Sequence, residues 1–224
     1  MSLRSDIAAE VRQLVSGRVS IADGILPPLV FVGANAVWGV TPAAVAGVAT
    51  ALAISAWRLV RRQPLRFALA GLGGTLIAAT IAVRSGSATG YFLPGLVTGG
   101  LTTLAILASI AARRPFVAWS SWLARGWPIE WYWHPQVLPA YLRITWIWAL
   151  FFGLRTIGQG WLFLSDRTTA LGLTRVVTGW PALLLLLVLT FVLGRTWLER
   201  LEGPSVAEFE AGAPPPWTGQ RHGF

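Results

Sequence analysis

Six apolar runs recur along the chain, each closed by arginine, proline, glycine or a short polar loop. The hydrocarbon layer of a bilayer is about 30 Å thick and takes roughly 20 helical residues to cross. The runs therefore predict spanning helices at 25–40, 43–60, 67–83, 91–112, 140–164 and 171–194. The fold class expected is all-α, a polytopic membrane helical bundle of about six transmembrane helices. The first run is the shortest and begins beside Pro27 and Pro28. "VTP" at Val40 to Pro42 reads as a tight turn before the second helix. "RRQPLR", "RSGSATG" and "SDRTTA" read as the short polar connections farther along.

Three segments fall outside this pattern. In "SDIAAEVRQLVSGRV", residues 5–19, Ile7, Val11, Leu14 and Val15 share one helical face. That spacing predicts an amphipathic helix, with Asp6 placed to favour its N-terminus. "PFVAWSSWLARGWPIEWYW", residues 115–133, holds Trp119, Trp122, Trp127, Trp131 and Trp133. An indole has an apolar body and one N–H, so it settles at the headgroup level. These five tryptophans are expected to be interfacial anchors. The tail from Gly203, with "APPPWTG", reads as largely disordered. The expected domains are a cytoplasmic amphipathic segment at 1–23, a six-helix transmembrane domain at 24–195 with its Trp-rich connection at 113–137, and a cytoplasmic tail at 196–224.

Composition supports this pattern and charge orients it. The chain is 54% hydrophobic and only 12% charged, against roughly 25% charged in soluble domains. Its net charge of +9 would suggest nucleic acid in a soluble protein. Here all 18 basic residues are arginine and most flank apolar runs, so lipid is the expected partner and nucleic acid is not. Apart from Arg155, 14 arginines fall on one side of the expected topology, while Arg84, Arg167 and Arg175 fall on the other. The positive-inside rule then puts both termini in the cytoplasm. An even number of spans agrees.

The chemistry is sparse. None of the nine acidic residues lies in an expected span. His134 and His222 lie in a connection and the tail, and cysteine is absent. Paired carboxylates, a metal site and a cofactor are thus not expected, and the protein reads as non-enzymatic. Small residues mark the packing faces. Ala43, Gly47, Ala51 and Ser55 recur every four residues, Gly95 and Gly99 form a GxxxG, and Gly71, Gly74 and Thr75 thin the third helix. Small side chains at that spacing let helix backbones approach closely.

Arg155 is the exception, set in the middle of "ITWIWALFFGLRTIGQGWLFL". Arg143 and Arg167 lie twelve residues to either side, about 18 Å away at helical rise. A central arginine costs roughly 2.5–3.5 kcal/mol on insertion scales, so it must face the bundle or a wet cavity. Gln159 and Asn35 are its strongest expected partners. Thr75, Thr80, Thr98 and Thr178 are weaker ones. Trp148, Phe151 and Phe152 offer ring faces, and freed carbonyls near Gly153 or Pro181 offer acceptors. Two readings stand: Arg155 braces helices through Asn35 and carbonyls, or with Gln159 and Asn35 it binds an anion.

"ILPPLVFV", "AWRLVRRQPLR", "ARRPFVAW" and "RITWIWALFFGL" occur in an order that resembles an actinobacterial family of uncharacterised multi-pass membrane proteins. The likeness spans residues 24–195, and more distantly it is similar to the intracellular septation protein A family. The resemblance implies a small inner-membrane bundle with partners in envelope synthesis or division. Two functions are expected from these readings. One is a non-enzymatic envelope scaffold binding partners or anionic lipid. The other is a small channel or transporter for an anionic or neutral solute, using Arg155.

Overall fold

The computed structural model describes residues 21–62, 65–200 and 202–220. The expected amphipathic segment at 5–19, together with Arg221 and His222, lies outside the described residues. The described residues are helical, without strands: α1 Ile21–Trp38, α2 Val40–Val60, α3 Leu65–Ser85, a 3₁₀ turn Ala88–Phe92, α4 Leu93–Ala111, α5 Phe116–Arg125, α6 Ile129–Tyr132, α7 Leu138–Leu164, α8 Thr168–Val177, α9 Trp180–Arg200 and α10 Val206–Glu210. Four stretches are long and apolar enough to cross a membrane: Val40–Val60, Ala88–Ala111, Leu138–Leu164 and Thr168–Arg200. Ile25–Trp38 and Leu69–Ser85 are shorter apolar helices.

The segment expected as a single domain divides into two compact units. The first contains residues up to Gly99 and Arg155–Leu183; the second contains Gly100–Leu154 and residues from Leu184 onward. In the first, α1 and α2 form a tight hairpin. Val40, Thr41 and Pro42, expected as a turn, instead begin α2, because proline is tolerated in a first helical turn where its missing N–H is not needed. The turn is Gly39 alone, at φ +80°, a conformation open to glycine. Ala43, Ala44, Gly47 and Ala51 are buried on α2, and Ser55 is half-buried. A Cβ on Gly47 would stand 3.6 Å from Phe31 Cβ and from the Pro27 carbonyl oxygen, so the small-residue face receives α1 closely. Phe31 stacks on Tyr91, with ring centroids 4.1 Å apart, and Phe92 meets both rings edge-on.

The polar connections after α3 and α7 meet within this unit. Asp166, at φ +51°, closes α7. The Arg167 N–H returns to the Leu162 carbonyl and the Asp166 N–H to that of Phe163. These bonds satisfy carbonyls a helix end leaves open. The Asp166 carboxylate accepts from the Thr89 hydroxyl at 2.9 Å, which ties the two loops together.

In the second unit residues 202–220, within the tail expected to be largely disordered, are folded. Ser205 and Glu208 form a capping box on α10. The Glu208 carboxylate accepts the backbone N–H groups of Ser205 and Thr218, each at 2.8 Å. Those bonds favour its charged form and hold its pKa down at about 2. The Trp131 indole N–H donates to the Pro204 carbonyl at 2.8 Å, which fixes the tail to the Trp-rich connection. Composition suggested disorder, but these pairings provide local order that composition does not encode.

Close packing on α8 gives a stability test. A Cβ on Gly172 would stand 2.6 Å from Val32 Cγ2, whereas Gly73 has nothing within 4 Å. Gly172→Val should cost about 1–3 kcal/mol by overpacking. Gly73→Ala should be neutral or gain up to about 1 kcal/mol from helix propensity. Thermal unfolding of the two variants in detergent measures the difference.

Candidate functional site

Arg155 is half-buried on α7, within the first unit. Gln159, one turn on, is buried at 5% exposure. Its Nε2 donates to Thr178 Oγ1 at 3.2 Å, and that hydroxyl donates to the Thr174 carbonyl at 2.7 Å. Thr178 caps the C-terminus of α8. The continuous helix expected at 171–194 is therefore two helices, α8 and α9, parted at Thr178 and Gly179. Glycine weakens the helix there, and Pro181 sits in the first turn of α9, where proline's lack of an N–H is harmless.

Arg175, one turn before Thr178, is the residue the sequence reading missed. It lies inside the run expected at 171–194 and counted only as one of three arginines on the second side of the topology. Its Nη1 donates to the Phe92 carbonyl at 3.5 Å, and its guanidinium lies 5.8 Å from the Phe92 ring centroid. The same guanidinium rests on Gly95, where any Cβ would overlap it. One turn along α4, a Cβ on Gly99 would stand 3.3 Å from Thr156 Oγ1, and Leu96 borders Gly160 of α7. The GxxxG expected as a packing face thus receives an arginine and a threonine. Gly99 stands midway along the apolar stretch Ala88–Ala111.

Arg155 on α7 and Arg175 on α8 are two cations of the first unit, each half-buried. Among the described residues, neither has a carboxylate at ion-pairing distance; Arg195 pairs with Glu199 at 3.0 Å elsewhere. Asn35 does not join them. It is half-buried on α1, its carbonyl accepts the Gly39 N–H, and no side-chain hydrogen bond links it to Arg155 or Gln159 among the described residues. α1 packs against α2, α3 and α8. The cluster is Arg155, Gln159, Arg175 and Thr178 over Gly95 and Gly99. "VVTGWP" was the readable signal, because Thr-Gly followed by Pro is helix punctuation. The aromatic partners expected for Arg155 have their own contacts: Trp148 donates to Thr190 Oγ1 at 2.8 Å and stacks on Phe152, whose ring meets Phe151 edge-on.

A second polar and aromatic surface lies in the second unit. Trp119, Trp122 and Leu123 are exposed on α5. Arg114 lies over Trp133 at 4.4 Å and Arg125 over Trp127 at 5.1 Å. Trp127 and Trp133 are half-buried, and Trp131 is fully buried. Trp131 is therefore a core residue and not a headgroup anchor; the Pro204 carbonyl satisfies its N–H, so it needs no water. Gly126, at φ +69°, ends α5 and turns the chain so that Trp127 and Trp131 meet edge-on. His134 sits between Phe209 and Trp217, with ring centroids at 6.2 and 5.3 Å. Its Nδ1 accepts the Gln136 N–H at 3.4 Å. Burial lowers the His134 pKa below 6.5.

Four stretches are long and apolar enough to span a membrane and have arginines at their flanks, the pattern of a helical membrane protein. Residues 15–200 match the family described as a protein of unknown function (DUF3159), and the chain belongs to that family. No curated protein and no solved structure matches the chain.

Gly95→Ala should lower the unfolding midpoint more than Gly99→Ala, because the first displaces a charged fork and the second presses on a hydroxyl. The expected cost at Gly95 is about 1–3 kcal/mol, measured by thermal unfolding in detergent. His134 has a depressed folded pKa, so its neutral form favours the fold. The stability this confers is present above pH 6.5 and falls as pH drops through the folded pKa. Limited proteolysis of the tail should accelerate from pH 7.5 toward pH 5.5, and His134→Phe should flatten that dependence.

Proposed function

We propose that the protein is a non-enzymatic integral membrane protein that engages anionic lipid at the membrane surface. In this reading α1 and α3 complete six spans alongside the four longer stretches, and both termini are cytoplasmic. The meeting of the loops after α3 and α7, through Thr89 and Asp166, supports placing those two connections on one side. The observation that carries the lipid reading is the α5 surface. Exposed Trp119, Trp122 and Leu123 stand beside Arg114 and Arg125, each of which lies on a tryptophan ring. Indoles at headgroup depth together with guanidinium groups suit a negatively charged leaflet. Partners in the envelope or division machinery belong to the same proposal and rest on sequence resemblance alone.

A second reading, passage of an anionic or neutral solute, is supported by the broken helix beside Arg155. Irregular backbone at membrane depth is tolerated where it is buried in protein or lines a wet cavity.

Purified full-length protein in nanodiscs should bind a soluble anionic-lipid probe, short-chain phosphatidylglycerol, more tightly than short-chain phosphatidylcholine. Replacing both Arg114 and Arg125 with Gln should weaken the preference by roughly thirtyfold, at about 1 kcal/mol per arginine. Equal binding of the two lipids by the wild type would overturn the lipid reading.

A further inference from the structure

We infer that Arg155 and Arg175 form a binding site, within the spanning helices, for a phosphate-class oxyanion. Gln159 and Thr178 supply its neutral polar wall. The inference deepens the solute reading and rests on it only for the location of these residues at membrane depth.

Four observations converge on one place. The Gln159–Thr178 hydrogen bond, at 3.2 Å, joins α7 to the end of α8. Arg155 precedes Gln159 by one turn on α7, and Arg175 precedes Thr178 by nearly one turn on α8, so each arginine shares a helix face with one partner of that bond. α4 closes the third side: Gly95 holds the Arg175 guanidinium, and Gly99 faces Thr156, next in sequence to Arg155. A two-residue hydrogen-bonded turn, Thr178 and Gly179, parts α8 from α9.

The energetics call for a counter-charge. Each arginine at membrane depth costs a few kcal/mol, and two near each other add mutual repulsion. The usual remedy is a carboxylate, and among the described residues none lies at ion-pairing distance from either. Arg175 has one long bond to a carbonyl, at 3.5 Å, which leaves most of its five donors for another acceptor. Two planar forks with amide and hydroxyl groups beside them match a tetrahedral oxyanion with several acceptor oxygens. A lipid phosphate headgroup and free phosphate offer the same oxygens, so the class is set by the donors and the source is for experiment.

The full-length protein, delipidated in neutral detergent, is titrated with inorganic phosphate and with dioctanoyl phosphatidic acid. Chloride at equal ionic strength is the control, and both heat of binding and unfolding midpoint are read. The wild type should be bound and stabilised by at least one probe. Binding of phosphate indicates a soluble ion; binding of the lipid alone indicates a headgroup. Arg155→Gln and Arg175→Gln should each weaken binding tenfold or more, a change of about 1.4 kcal/mol. Arg84→Gln, at an exposed position, should leave it unchanged.

If the Gln variants fail to fold, Arg155→Lys and Arg175→Lys keep the charge but lose the fork, and should still weaken binding several-fold. No effect of either probe on the wild type beyond chloride overturns the inference. So does wild-type affinity in the double Arg→Gln variant, or in both Lys variants. Phosphate flux into proteoliposomes is read separately: binding without flux leaves the site standing and removes solute passage.

Discussion

The guanidinium of Arg175 lies on the bare α-carbon of Gly95, and the arrangement of the first unit around it follows from that contact. A charged fork cannot be left to lipid, so it needs a surface with no side chain in the way. α4 provides one because its GxxxG presents hydrogens where other residues present methyl groups. Beside it, Thr178 accepts from Gln159 of α7 where α8 ends, and the chain starts again as a helix at Trp180. The same small residues that permit helix contact elsewhere in the bundle here admit a polar group.

The second unit solves a different problem. Its connection carries five tryptophans, too many for all to meet water or headgroups on one short segment. Trp131 and Tyr132 are drawn into a core with Tyr141 and Ile144, and the tail supplies the carbonyl that the buried indole requires. What remains outside is narrower and more specific: Trp119, Trp122 and Leu123, with arginines stacked on the half-buried rings beside them. The tail is thus part of the unit's packing. His134, between two tail rings, couples that packing to pH.

Much of this was legible in advance where one residue type has one physical meaning. Apolar runs marked the helices, with α7 matched within two residues at its start and at its end. The four-residue rhythm of Ala43, Gly47 and Ala51 marked a close-packed face, which the buried positions on α2 now occupy. Arg155 and Gln159 were singled out because polar residues inside an apolar run are costly. Asn35 was named on the same ground, but composition cannot say which neighbour a costly residue meets. The break in 171–194 was hidden because leucine-rich sequence on both sides of "TG" kept the hydropathy high.

The sequence by itself determined the helices and the stretches long and apolar enough to cross a membrane, since these depend only on hydrophobicity and helical rise. The tertiary structure alone decided that Arg175 lies on Gly95, that Gln159 reaches Thr178, that Trp131 is buried and that residues 202–220 are folded. Each of those depends on which surfaces meet across long separations in the chain. Burial and hydrogen-bond partnership are properties of pairs of residues, and a linear pattern records residues singly.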